Sequence, residues 1–63
     1  MAYVDILRMA MKREEQALRF YNDIAGKVED EQFIKVCKIL AQEEAKHKLR
    51  FEIEYDDYIL TEN

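Results

Sequence analysis

Two glutamates and one histidine have the residue types and the spacing of a metal-binding site. Glu44 and His47 are three residues apart, so on a helix they share one face, and Glu14 lies on the matching face of an earlier helical segment. An unpaired carboxylate is costly to bury, and a bound metal ion can offset that cost. One Glu together with Glu-x-x-His is half of a dinuclear ligand set. The sequence therefore predicts half of a carboxylate-bridged metal site, with self-association supplying the other half.

The positions of the apolar residues predict that these three side chains are carried by two helices. Apolar residues recur at steps of three and four along nearly the whole chain, which is helical periodicity. Gly26 is the only glycine and opens the one plausible break, where Asp30 can cap the helix that follows. We predict an all-α, antiparallel two-helix hairpin with helices over about residues 2–27 and 31–60, joined by a turn at about 26–30. The predicted core-facing positions are Tyr3, Leu7, Ala10, Glu14, Ala17, Tyr21, Ile24 and Val28 in the first helix, and Phe33, Cys37, Leu40, Glu44, His47, Phe51, Glu54 and Tyr58 in the second.

The same periodicity separates inward from outward glutamates. Glu14 and Glu44 share their heptad positions with core residue types, whereas Glu15 and Glu43 share theirs with polar residues. We therefore predict that Glu14 and Glu44 face inward and that Glu15 and Glu43 face solvent.

Distance from the turn gives a second reason to expect a single site. Glu14 lies 12 residues before Gly26, and Glu44 lies 14 residues after Asp30. At about 1.5 Å per residue, these glutamates lie roughly 18 and 21 Å from the turn, with His47 about one helical turn further on. The three side chains are expected to meet at one level of the hairpin.

Composition favours a self-associating protein over one that binds nucleic acid or membrane. The chain has 63 residues, of which 49% are hydrophobic, and a net charge of −4 without a basic stretch. No apolar run approaches the roughly 20 residues needed to span a bilayer, and the N-terminus lacks the pattern of a secretory signal. The single cysteine allows no intrachain disulfide, and we predict a cytoplasmic location. A lone hairpin of this length buries little apolar surface, so we predict at least a homodimer, with larger oligomers open.

Dimerisation into a four-helix bundle would bring together four glutamates and two histidines. Such a set suits two iron ions, one per chain, or manganese, with coordination positions left for oxygen species. The alternative from the residues alone is a buried polar network that fixes the register of the bundle. Cys37 is expected to be a small buried residue, and Glu54 to lie near the open end of the bundle with Tyr3 and Tyr58.

Two motifs resemble those of rubrerythrin-like members of the ferritin-like superfamily. Residues 14–21, Glu-Glu-Gln-Ala-Leu-Arg-Phe-Tyr, resemble the first-helix motif, and residues 40–47, Leu-Ala-Gln-Glu-Glu-Ala-Lys-His, resemble the second-helix motif. The resemblance implies that Glu14, Glu44 and His47 bind iron and that Tyr21 lies beside the bridging carboxylates. Family members usually carry this ligand set twice in one chain. The single copy here is similar to the two-helix ferritins of encapsulin shells, which build the iron site between subunits.

The resemblance implies a ferroxidase or peroxidase-type oxidoreductase. Full rubrerythrins also carry a rubredoxin-like iron–sulfur module with paired Cys-x-x-Cys motifs, which one cysteine excludes here. A peroxidase cycle would therefore need an external electron donor, whose identity the sequence does not give. The alternatives are a non-catalytic helical dimerisation module, an iron-carrying protein, or a fragment of a longer ferritin-like chain.

Overall fold

Two long helices packed against each other make up the computed structural model, which describes residues 1–62. Helix α1 spans Tyr3–Ala25 and helix α2 spans Glu31–Glu62. The helices run antiparallel, since the rings of Tyr3 and Tyr58 meet edge to face with centroids 5.2 Å apart at the end opposite the turn. The hairpin measures 49 × 17 × 12 Å, and no strand occurs in the described residues. The predicted all-α hairpin is confirmed.

The turn is built by the two residues that the sequence indicated. The Gly26 N–H donates to the carbonyl oxygens of Asn22 and Asp23, both at 3.2 Å, and ends α1. The Asp30 side chain caps α2, because its Oδ1 accepts a hydrogen bond from the Phe33 N–H at 3.0 Å. Gly26 has φ −81° and ψ −9°, which any residue can adopt. Gly26 therefore does not adopt the left-handed backbone conformation for which glycine is often found at the C-terminus of a helix.

Replacement of Gly26 by alanine should stabilise the protein. A Cβ atom there would lie 3.6 Å from the Asp23 carbonyl oxygen and 3.8 Å from that of Asn22, which is ordinary van der Waals contact. The variant loses backbone freedom in the unfolded chain, so we expect its free energy of unfolding to rise by about 0.4–1 kcal/mol. Chemical denaturation at fixed protein concentration measures this. Asp30→Ala, which removes the cap, should lower the same quantity by about 0.5–2 kcal/mol. A destabilised Gly26→Ala protein would show that the turn needs glycine for another reason.

The centre of the hairpin interface differs from the predicted one in α2. Among the described residues, the buried ones are Leu7, Cys37 and Ala41, which confirms the expected burial of Cys37. Leu40, predicted to face the core, is instead 37% exposed. Cys37 and Glu44 remain on the interface side as predicted, so Ala41 beside them indicates that α2 is turned from the predicted orientation by less than one residue, away from Leu40.

This rotation leaves a row of mostly apolar side chains beside the interface. We call the row the open face of α2; its members recur at steps of four and seven, and they are Phe33, Leu40, His47, Phe51 and Tyr58. Phe33, Leu40 and His47 are exposed, although all three were predicted to face the core. Glu54, also predicted to face the core, is exposed as well.

Within the described residues, neither helix is long and apolar enough to cross a membrane.

Candidate metal centre

Glu14 of α1 and Glu44 and His47 of α2 converge midway along the hairpin. His47 Nδ1 lies 3.3 Å from Glu14 Oε2 and 3.8 Å from Glu44 Oε2. One potential ligand atom from each of the three residues lies within 4.8 Å of the other two. The sequence predicted that these three residues lie at the same level of the hairpin, and their side chains are close together in the structure. Two carboxylates and an imidazole at this spacing form a donor set that a single metal ion could contact.

One oxygen of this cluster is buried without a hydrogen-bond partner. Glu14 Oε2 has no partner within the described residues, and its approach to His47 Nδ1 lacks hydrogen-bond geometry. The Glu14 and Glu44 side chains are only 19% and 20% exposed, whereas His47 is 48% exposed. A buried carboxylate oxygen without a partner is costly, and metal coordination is one way to satisfy it. The cluster therefore fits a bound cation.

The Glu14 carboxyl affects the ionisation of Glu44. The Glu14 carboxyl is the largest cause that raises the pKa of Glu44, because it can accept a hydrogen bond once Glu44 is protonated. Loss of hydration raises this pKa further. His47 acts in the opposite direction more weakly. Without a metal ion, the folded hairpin thus keeps the Glu44 proton up to a higher pH than the unfolded chain does.

This pKa shift predicts a pH-dependent effect of Glu44→Gln in metal-free protein. Because the folded-state pKa of Glu44 is raised, the stability it contributes is fully present below its unfolded pKa, about 4.3, and is lost as pH rises through the folded pKa. Glutamine cannot ionise, so the variant keeps this stability. We expect the melting temperatures of variant and wild type to coincide near the acid end and to diverge with rising pH, with the variant higher. Glu43→Gln, on the exposed side of the same turn, should show no such divergence; an equal divergence there would assign the effect to surface charge.

Glu15 lies at the edge of the helix interface and not on the solvent side that its heptad position predicted. Its Oε2 is 2.9 Å from Lys48 Nζ of the opposite helix, and its Oε1 accepts a hydrogen bond from Arg19 Nε at 2.8 Å. These contacts lower the pKa of Glu15, with Arg19 the larger cause. The heptad comparison missed the pair because Lys48 is long enough to reach across the interface. Glu43 is exposed, as predicted.

Arg50 is a residue of this region that the sequence analysis did not select. An open pocket beside the cluster is lined by Glu14, His47, Arg50 and Phe51. Arg50 follows His47 by three residues, so it lies one turn further along α2, and this spacing is the signal that could have identified it.

The remaining predicted residues lie outside the cluster. Tyr21 is half-buried and packs edge to face on Phe20 with ring centroids 5.6 Å apart, and no hydrogen bond links it to the cluster among the described residues. Glu54 is not part of the three-residue group. The expected role of Tyr21 beside the carboxylates stays a prediction.

Comparison with known proteins gives one significant match, to a family model. No curated protein and no solved structure gives a significant match. The family model described as Rubrerythrin matches residues 5–63, which is nearly the whole chain and includes all three members of the cluster. This family implies iron binding, and the all-helical hairpin with its carboxylate–histidine group agrees with a ferritin-like, iron-binding protein. The chain belongs to the rubrerythrin family.

Proposed function

We propose that two copies of this hairpin associate into a four-helix bundle and hold a dinuclear iron site between them that reacts with O2 or peroxide. The observation that supports this proposal most directly is the convergence of Glu14, Glu44 and His47 around a buried carboxylate oxygen without a partner. Family membership supports iron as the metal, although the same oxygen and nitrogen donors also suit manganese.

The incomplete ligand set and the small number of buried residues both favour association with a second copy of the hairpin. A dinuclear carboxylate site of this type uses a Glu from each of two helices and a Glu-x-x-His from each of two others. One hairpin offers half of this set, and His47 lies on the open face of α2, where a second hairpin could cover it. Only three described residues are buried, which is very little for an isolated domain. Pairing two hairpins across this face would therefore complete both the ligand set and the core.

Each ligand has a distinct part in this proposal. Glu14 and Glu44 are close enough for their carboxylates to share a metal site, and metal binding competes with protonation of Glu44. The half-exposed imidazole of His47 completes the donor set of each hairpin from the face on which the second hairpin would pack. A bound iron pair would supply the redox chemistry toward O2 or peroxide. Peroxide reduction would also need electrons from an external donor.

Anaerobic Fe(II) loading followed by desalting tests the proposal. We expect about one iron per chain, and native mass spectrometry should find it in dimers or multiples of dimers, as the half ligand set requires. Stopped-flow mixing with O2 and with peroxide then measures oxidation of the loaded iron against free Fe(II). Iron retained without faster oxidation would leave a carrier or structural role. No retained iron would reject the metal site and leave a helical oligomer whose polar side chains set its register.

A further inference from the structure

An ion pair between the two helices lies at the same level of the hairpin as the cluster. Glu15 Oε2 is 2.9 Å from Lys48 Nζ, and these residues directly follow Glu14 and His47 in sequence. Lys48 Nζ also lies 3.8 Å from Glu52 of its own helix. Apart from the contact of His47 with Glu14, the Glu15–Lys48 pair is the only salt bridge that joins the helices in the part of the chain that the structure describes.

The pair lies on the side of the helix interface away from the open face of α2. One heptad nearer the turn, the rows that carry Glu15 and Lys48 continue with Asn22 and Ala41. These two residues line a depression that shares no residue with the pocket beside His47. A second hairpin that packs on the open face would therefore leave the ion pair uncovered.

The cluster itself does not hold the helices together before metal binds. Glu14 and Glu44 repel each other when both are ionised, and Glu14 Oε2 has no hydrogen-bond partner within the described residues. Only three described residues are buried, so apolar packing adds little constraint on how the helices are rotated against each other. An ion pair one residue away from a ligand on each helix opposes this repulsion.

We propose that the Glu15–Lys48 pair positions the metal ligands, because it fixes the rotation and separation of the two helices at the level of the cluster. Both are positioning residues, and neither is a metal ligand. The inference rests on the proposed metal site. Without the pair, Glu14 would have to be drawn back toward Glu44 when metal binds, which lowers the affinity. Partly exposed ion pairs are weak, so the expected effect is an increase of about three- to fivefold in the metal dissociation constant.

Lys48→Met tests this role in an Mn²⁺ titration that follows the electron paramagnetic resonance signal of free Mn²⁺. Methionine keeps an unbranched apolar side chain at the helix interface but removes the charge. Loss of a positive charge near a bound cation would by itself tighten binding, so the expected weakening cannot come from charge alone. Lys48→Arg, which keeps the ion pair, should bind Mn²⁺ like the wild type. A change of this size leaves iron bound after loading, so affinity and not iron content has to be measured.

Lys46→Met is the matched control. Lys46 precedes His47, and its Nζ lies 3.4 Å from Glu43 of the same helix, so this variant loses the same charge but no link between helices. It should bind Mn²⁺ as tightly as the wild type or slightly more tightly. Asp30→Ala, which destabilises the hairpin at the turn, should also keep the wild-type affinity.

The outcomes separate the positioning role from the metal site. If the wild type binds Mn²⁺ but Lys48→Met binds it as tightly as Lys46→Met does, the positioning role is wrong while the metal site stands. Equal weakening in Asp30→Ala or in Lys48→Arg would also reject the role, since stability or side-chain shape would then explain the effect. If the wild type binds no Mn²⁺, the metal site itself fails, and the positioning role with it.

Discussion

Replacement of either Glu14 or Glu44 by alanine should reduce the iron retained after anaerobic loading from about one per chain to nearly none. Within the described residues, three ligands converge in each hairpin, and a twofold assembly would lose each deleted carboxylate twice. In the proposed site two carboxylates and two imidazoles would then remain, which is too few ligands to hold two ions. Iron determination on desalted protein gives the result directly.

The adjacent glutamates provide matched controls for this experiment. Glu15 and Glu43 each neighbour a ligand in sequence, yet neither belongs to the converging group. Glu15→Ala and Glu43→Ala should therefore retain iron close to the wild-type level. Equal loss in all four variants would mean that iron is held by diffuse negative charge and not by the cluster.

A Glu44→Leu variant separates a metal site from a register network. Removing the carboxylate also removes its repulsion with Glu14, so the metal-free variant should be more stable than the wild type while it binds no iron. A network that set the register would instead leave iron retention unaffected and broaden the range of oligomers, which sedimentation velocity would detect.

Leu40→Asp should dissociate the proposed dimer. Leu40 is 37% exposed in the hairpin and lies on the open face of α2, so a second hairpin docked there would bury it. Losing the burial of one leucine, about 2 kcal/mol, in each of two copies weakens the dimer by about 4 kcal/mol, or about 10³-fold in its dissociation constant. Sedimentation equilibrium over a concentration series measures this change. Circular dichroism should also show reduced helicity, because the isolated hairpin has few buried residues.

Leu49→Asp is the control for this prediction. Leu49 lies nine residues after Leu40, which places it on the opposite side of α2, and it is more exposed, at 56%. The same substitution there should leave the dimer intact. If Leu49→Asp dissociates the protein and Leu40→Asp does not, the copies associate through the other face of α2, away from His47.

The hairpin was predictable because its determinants are local. Gly26 and Asp30 mark the ends of the two helices in the sequence, and the structure finds a C-terminal cap at one and an N-terminal cap at the other. The convergence of Glu14 with Glu44 was predictable for a related reason. Helical rise is nearly constant, so counting residues from a known turn gives depth along both helices.

The rotation of α2 was not predictable, because it depends on how closely two surfaces can approach. Leu40 and Ala41 both fit a core-facing position in the periodicity, and a leucine is the usual choice. The structure buries Ala41 and leaves Leu40 on the open face. Periodicity gives the direction of an apolar stripe but not which of two adjacent residues lies at its centre.

The contacts of the charged side chains around the site also could not be predicted from the apolar periodicity. Glu15 was predicted to face solvent, although it pairs with Lys48 across the interface, and Arg50 was not selected, although it borders the pocket. Long charged side chains reach well away from their own backbone position, so heptad position says little about what their charged ends contact.

The matched depth of the ligands also limits which insertions and deletions this chain can tolerate. Twelve positions separate Glu14 from Gly26, and fourteen separate Asp30 from Glu44. An added residue in either segment would turn the ligand beyond it by about 100° and move it by about 1.5 Å, so the donors would no longer converge. The same change would part Glu15 from Lys48, because each adjoins a ligand in sequence. Length changes can therefore be accommodated before the start of α1 or as compensating whole turns in both helices, and homologous sequences should vary in length at those places.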